Sequence, residues 1–128
     1  IYGGVGIDRQ TKTLRKGVDI IIATPGRLID HIERGNIDFN KLSTLVLDEA
    51  DRMMDMGFMP DIKRILNLLP ENRQTMLFSA TFPTEVIAFA EKMVYNPDKI
   101  LIERGPEYLV SWESIFSAFV VLWLGWKI

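Results

Sequence analysis

The chain has 128 residues, 48% of them hydrophobic and 25% charged, with a formal net charge of -2. Those values suit one globular domain and exclude a disordered or fibrous chain. The slightly acidic balance excludes a global attraction for nucleic acid, and the absence of cysteine excludes disulfides and thiolate metal sites, which fits a cytoplasmic location.

The opening "IYGGVGI" carries neither an initiator methionine nor a signal-type apolar stretch, and reads as the start of an internal piece. Gly3 and Gly4 make a turn, or let a phosphate backbone approach main-chain amides. Arg9, Lys12, Arg15 and Lys16 follow as a basic run, a pattern that ordinarily covers a solvated helix face. Within it "TKT", Thr11 to Thr13, imitates the end of a phosphate-binding loop, but the glycine spacing that such a loop needs does not precede it.

"VDIIIA", Val18 to Ala23, is short, β-branched and continuously apolar, the pattern of a strand covered on both faces. "PGRLIDHIERG" then predicts a short helix, with Pro25 at its start, Leu28, Ile29 and Ile32 on one face and Gly35 as its stop. His31, the single histidine, falls on this helix as a partly exposed residue and cannot build a histidine-rich zinc centre. A second strand runs from Thr44 to Asp48. Ile62, Ile65, Leu66 and Leu69 mark a second helix, closed by Pro70. Gln74 to Ala80 predicts a third strand, and Val86, Phe89, Ala90 and Met93 a third helix, with Thr84 as N-cap and Pro97 beyond its end. Lys99 to Glu103 reads as a fourth, weaker strand. Met53, Met54, Met56 and Met59 are expected to fill gaps in the core.

Alternating strands and helices imply right-handed crossovers and a parallel sheet, so the strands' C-terminal ends share one rim. That rim collects "ATPGR", "DEAD" and "SAT", where open α/β sheets bind ligands. Asp48, Glu49 and Asp51 at the tip of a buried strand are either a solvated terminus or a site for a metal-bound nucleotide. In the second reading Asp48 holds magnesium through water, Glu49 orients or deprotonates an attacking water, and Asp51 pairs with the hydroxyls of Ser79 and Thr81. Thr24 and Pro25 start a helix whose N-terminus suits a nucleic-acid phosphate, with Arg27 either solvated or on another phosphate.

The ordered set "YGG", "TPGR", "DEAD" and "SAT", with "RMMDMGF" directly after the acids, closely resembles the DEAD-box family of ATP-dependent RNA helicases. The resemblance runs from Ile1 to about Glu103, and its wording is most similar to bacterial members of the ribosome-assembly type. It implies an α/β fold: residues 1–105 as a partial RecA-like, P-loop NTPase-type three-layer domain with a parallel sheet, lacking the phosphate-loop strand. It also implies ATP and Mg2+ as cofactors and RNA as partner. By that resemblance Asp48 is the magnesium-associated acid and Glu49 activates water, while Asp51, Ser79 and Thr81 couple hydrolysis to strand separation. Gly3, Gly4, Thr24 and Arg27 touch the RNA sugar-phosphate backbone, which makes the family largely indifferent to base sequence.

The chain departs from the family in carrying neither the Gly-Lys-Thr or Gly-Lys-Ser loop nor the second RecA-like lobe, so it is expected neither to hydrolyse ATP nor to unwind RNA alone. An incomplete sheet leaves apolar surface through which the chain can self-associate. Residues 106–128 form an atypical hydrophobic tail. Its apolar stretch, Ser114 to Trp126, is too short for a membrane span of roughly 20 residues, and covering the exposed sheet or engaging a partner are the readings that remain. Alternatives to the helicase fragment are a non-catalytic RNA-backbone-binding remnant and a DNA-directed helicase of the same superfamily.

Overall fold

A computed structural model of the protein describes residues 1–94, 97–101 and 120–124. In chain order it contains α1 (Ile7–Arg15), β1 (Ile20–Ala23), α2 (Pro25–Glu33), β2 (Leu42–Leu47), α3 (Ala50–Asp55), α4 (Met59–Leu66), β3 (Gln74–Leu77), α5 (Thr84–Met93) and β4 (Val120–Leu124). The helices α1 and α3 are additions to the sequence reading. At the helix that carries "TPGR", Thr24 is the N-cap in extended conformation and Pro25 occupies the first turn, where its missing N–H costs nothing. Gly35 ends it with φ +64°, donating its amide to the Ile32 carbonyl at 2.9 Å while the Asn36 amide reaches the His31 carbonyl at 2.9 Å. In α5 the predicted cap shifts by one: Pro83 is the N-cap and Thr84 the first helical residue.

The strand order is β1-β4-β2-β3. β2 and β3 pair in parallel, Leu45 opposite Thr75 and Leu47 opposite Leu77. β4 lies antiparallel to both β1 and β2, with Ala23 and Leu47 each opposite Val120. β1, β2 and β3 therefore run in one direction, and the rim required by the alternating pattern is present. The sheet is nonetheless mixed. Residues 120–124 of the tail do not lie over a face of the sheet but enter it as a strand, paired on both sides. The remainder of the tail lies outside the described residues. The fourth strand expected at Lys99–Glu103 is not formed over Lys99–Leu101, and Ile102 and Glu103 lie outside the described residues.

The core gathers Ile21 and Ala23 of β1, Leu45 and Leu47 of β2, Leu28 and Ile29 of α2, Met53 of α3, Ile62 and Ile65 of α4, and Phe89 of α5. Burying a side chain of this size is worth about 1.5–3 kcal/mol each, which is what holds these short elements together. β1 was expected to be covered on both faces. Instead it alternates: Ile21 is 2% exposed and Ala23 fully buried, whereas Ile20 and Ile22 remain 56% and 52% exposed. The same open side of the sheet carries exposed Met76 and Phe78. A continuous apolar run does not say which face is covered, because burial depends on the layer that other segments supply. Of the four methionines, Met53 is buried and Met54 and Met59 pack against the core, while Met56 is exposed.

Candidate functional site

Asp48 follows directly on β2, where the strand's hydrogen bonding ends, and its side chain is exposed. Its Oδ1 accepts the Glu49 amide at 2.9 Å. Glu49 is the N-cap of α3 and adopts φ 53°, ψ 48°, the left-handed region that a residue with a Cβ enters at a cost of about 1–3 kcal/mol. This kink turns the chain sharply from strand into helix. The reversal is held because the Ala50 amide donates to the Phe78 carbonyl at 3.1 Å and the Phe78 amide to the Leu47 carbonyl at 2.8 Å. Arg52 lies 3.5 Å from the Glu49 carboxylate across one turn. A strained, non-glycine residue between two short elements, carrying a carboxylate, is the kind of outlier that marks a site of chemistry.

Asp51 sits two residues further on, in the first turn of α3, and reaches the turn after β3. Its Oδ2 accepts the Thr81 amide at 2.9 Å and the Thr81 hydroxyl at 2.7 Å. Its Oδ1 accepts the Arg52 amide at 3.0 Å. Ser79 Oγ accepts the Asp51 amide at 3.2 Å and donates to the Thr81 carbonyl at 2.6 Å. Burial by itself would raise the Asp51 pKa. The hydrogen bonds from the Thr81 hydroxyl and amide, and from Arg52, outweigh it and hold the carboxyl below the ordinary carboxylate value. The acidic turn after β2 and the "SAT" turn after β3 are thus one hydrogen-bonded unit.

The second group forms around the first turn of α2. Gly4 has φ +80° and nothing within 4 Å of where a Cβ would stand, so the Gly3–Gly4 turn is both open to a ligand and in a conformation that favours glycine. Thr24 donates its amide to the Ile1 carbonyl at 3.0 Å, and its hydroxyl makes no cap hydrogen bond. Arg27 is not a solvated side chain. Only 16% exposed, it places Nε 3.4 Å from Asp30. Its Nη1 donates to the Val5 carbonyl at 2.8 Å and to Gln10 Oε1 at 3.2 Å. The structure therefore brings Gly3, Gly4, Thr24 and Arg27 together, with Arg27 turned towards the glycine turn's own backbone.

His31 corrects the expectation of a partly exposed helix residue: it is fully buried. Its Nε2 bonds Gln10 Oε1 at 3.0 Å and its Nδ1 bonds Asn36 Nδ2 at 3.2 Å. An amide oxygen on one side and an amide nitrogen on the other assign a neutral ring with the proton on Nε2. Burial, and then the Arg27 guanidinium, push its pKa below the ordinary imidazole value. Arg27 and His31 share a helix face by their spacing of four, which the sequence makes visible. Gln10 carries no such signal, because its partners come from distant parts of the chain. "TKT" lies inside α1, where Thr11 and Thr13 return their hydroxyls to the Ile7 and Arg9 carbonyls at 3.1 and 3.2 Å, so it forms no phosphate loop.

Residues 1–89 match the family model described as DEAD/DEAH box helicase. The chain belongs to the DEAD/DEAH box helicase family. It is 52% identical over 102 residues to DEAD-box ATP-dependent RNA helicase 20 of Arabidopsis thaliana, covering 80% of this chain and 20% of that protein. It is 47% identical over 111 residues to DEAD-box ATP-dependent RNA helicase CshA of Bacillus subtilis, covering 87% of this chain and 22% of the relative. The chain thus spans about a fifth of the length of these relatives, and the likeness falls on plant and bacterial proteins alike. Among solved structures, a DEAD box protein from the hyperthermophile Methanococcus jannaschii is similar with a TM-score of 0.71 at 43% identity, over 75% of this chain and 26% of that one. The α/β, RecA-like architecture expected from the motifs is the one found in the family's solved structures.

The donor set after β2 fits magnesium in one particular way. Among the described residues no three acidic or histidine side chains gather to make a protein cage for a metal. A lone exposed carboxylate, Asp48, suits a cation that keeps its water shell and takes its other ligands from phosphates. Among the described residues, no helix is long and apolar enough to cross a membrane.

Proposed function

We propose that this chain is part of the first lobe of an ATP-dependent RNA helicase, in which ATP hydrolysis drives separation of short RNA duplexes. The observation that carries this reading is the hydrogen bonding of Asp51 to Thr81 and Ser79, which ties the acidic turn to the next strand's end within a chain of this family. Asp48 holds the hydrated magnesium of the nucleotide, and Glu49, pushed forward by its left-handed backbone, orients and deprotonates the attacking water. When bound, that magnesium neutralises charge on the terminal phosphates. Asp51, Ser79 and Thr81 transmit the change at the phosphate site to the neighbouring turn.

On the other part of the rim the Gly3–Gly4 turn and the first turn of α2 with Thr24 receive the RNA sugar-phosphate backbone, and Arg27 supports them. Contacts of this type position the strand without reading its bases. The 128-residue chain holds the acidic half of the nucleotide site and part of the RNA edge. A phosphate loop and a second RecA-like lobe complete the enzyme, which works in the cytoplasm. The open sheet face with Ile20, Ile22, Met76 and Phe78 is where the isolated chain self-associates.

The test is made in the longer protein that carries this segment. Glu49→Gln keeps the side chain's size but removes the base, so ATP and RNA binding persist while RNA-stimulated turnover falls by at least about 100-fold, the range of general-base loss. Undiminished hydrolysis removes Glu49 from the chemistry, and equal stimulation by DNA and RNA favours a DNA-directed helicase. The isolated chain shows no turnover; measurable RNA-stimulated hydrolysis by it would refute the division of the site described above.

A further inference from the structure

Gln10 lies on α1, away from every motif that carries the proposed chemistry, yet its side chain makes as many polar contacts at the RNA edge as that of the motif residue Arg27. Its Nε2 donates to the Tyr2 carbonyl at 3.0 Å. Its Oε1 accepts from Arg27 Nη1 at 3.2 Å and from His31 Nε2 at 3.0 Å. The same Arg27 Nη1 donates to the Val5 carbonyl at 2.8 Å. Tyr2 and Val5 are the residues on either side of Gly3 and Gly4. The turn is therefore held at both ends by one side chain: directly at Tyr2, and through the guanidinium at Val5.

The arrangement answers a physical problem. A Gly-Gly turn with open space around it and φ +80° at Gly4 has high conformational freedom and nothing of its own to pack. A disordered turn would lose affinity on ordering each time a phosphate arrives, whereas a pre-ordered one does not. Gln10 can order it because its own amide is fixed. Neutral, buried His31 donates to Oε1, which settles the amide's orientation and leaves Nε2 for Tyr2, and Asn36 holds the far side of the ring. Asn36 is in turn anchored on Thr11 Oγ1 at 3.2 Å.

We propose that Gln10 is a positioning residue for RNA binding, clamping the Gly3–Gly4 turn through the Tyr2 carbonyl and, by way of Arg27, through the Val5 carbonyl. The inference rests on the reading of that turn as an RNA-backbone contact. It makes Arg27 chiefly a support for the turn, and it places the anchor of the whole edge in a buried histidine and a half-buried glutamine that carry no charge.

The clamp is tested by 15N relaxation on the full chain, with RNA affinity measured in parallel on a single-stranded uridine decamer. In the wild type the Gly3 and Gly4 amides have order parameters near the rigid value of about 0.85, and in Gln10→Ala they fall below about 0.6. The Arg27 Nε–H resonance, sharp in the wild type, broadens in that variant, and affinity for the decamer drops about five-fold. Gln10→Glu keeps the acceptor for Arg27 and His31 but cannot donate to Tyr2. It retains the sharp Arg27 signal and loosens Gly3 alone, a pattern that general damage to α1 does not produce. Unchanged order at Gly3 and Gly4 in Gln10→Ala overturns the clamp, as does equal disorder of both glycines with loss of the Arg27 signal in Gln10→Glu. If the turn loosens and RNA affinity does not change, the clamp stands as structure and the assignment of Gly3 and Gly4 to RNA is refuted.

Discussion

Replacing Asp51 by alanine removes three hydrogen bonds at one ionised acceptor: two from Thr81 and one from the Arg52 amide. A hydrogen bond to a charged group is worth about 1.5–3 kcal/mol net. The Arg52 amide lies in the exposed first turn of a six-residue helix and regains water, so the two Thr81 bonds dominate and the loss comes to about 3 kcal/mol. With a urea dependence of about 2 kcal/mol per molar, the unfolding midpoint at pH 7 falls by about 1.5 M. Thr81→Val removes the hydroxyl donor at 2.7 Å but leaves the amide, and is expected to cost about half as much. In the double variant the two losses do not add, with a coupling of about 1 kcal/mol.

The pH dependence supplies an independent check on the same residue. The folded Asp51 pKa is depressed, so its contribution is fully present above the unfolded value, near 4, and disappears only as pH falls through the lower folded value. The gap between wild type and Asp51→Ala is therefore constant from pH 7 to pH 5. A midpoint shift smaller than about 0.3 M at pH 7, or a gap that closes above pH 5, would falsify the account of Asp51 as an ionised bridge between the two turns.

Two other predictions concern stability. His31 has a folded pKa below its unfolded value of about 6.5, so the unfolded chain takes up a proton first on acidification and stability falls between pH 7.5 and 5.5, by at most about 1.4 kcal/mol per unit. His31→Gln lacks this term, and urea midpoints at the two pH values should differ less in the variant; an identical pH dependence would return the histidine to an uninvolved position. Ending the chain before residue 106 removes β4, the strand that hydrogen-bonds β1 to β2. The truncated chain is expected to unfold at lower urea, with a broadened transition and increased binding of a hydrophobic dye, and an unchanged sharp transition would show that β4 contributes nothing to the sheet.

The legible part of the site was the part encoded in contiguous words. "DEAD" at a strand tip and "SAT" at the next pointed to Asp51, Ser79 and Thr81, because alternating elements force those tips onto one rim. The left-handed backbone at Glu49 had no signal, since no glycine stands there; it is imposed by the hydrogen bonds that pin Ala50 and Phe78. His31 was misread for a related reason. A histidine on a short helix is ordinarily half-exposed, and what buries this one is α1 together with the loop after α2, meeting it through Gln10 and Asn36.

By itself the sequence determined many local choices: where Pro25 starts a helix, where Gly35 stops one, that the three runs before Pro25, before Glu49 and before Thr81 hold strands, and which acids stand at the end of the second. These depend on interactions within a few residues, and periodicity and capping chemistry are enough to read them. Only the tertiary structure decided that Ile20 and Ile22 stay exposed while Ile21 and Ala23 are buried, that residues 120–124 pass between β1 and β2, and that Arg27 turns inward to the Gly3–Gly4 turn. Each of those outcomes joins segments far apart in the chain, and the energy that selects them arises from burial and polar partners that exist only once the segments meet.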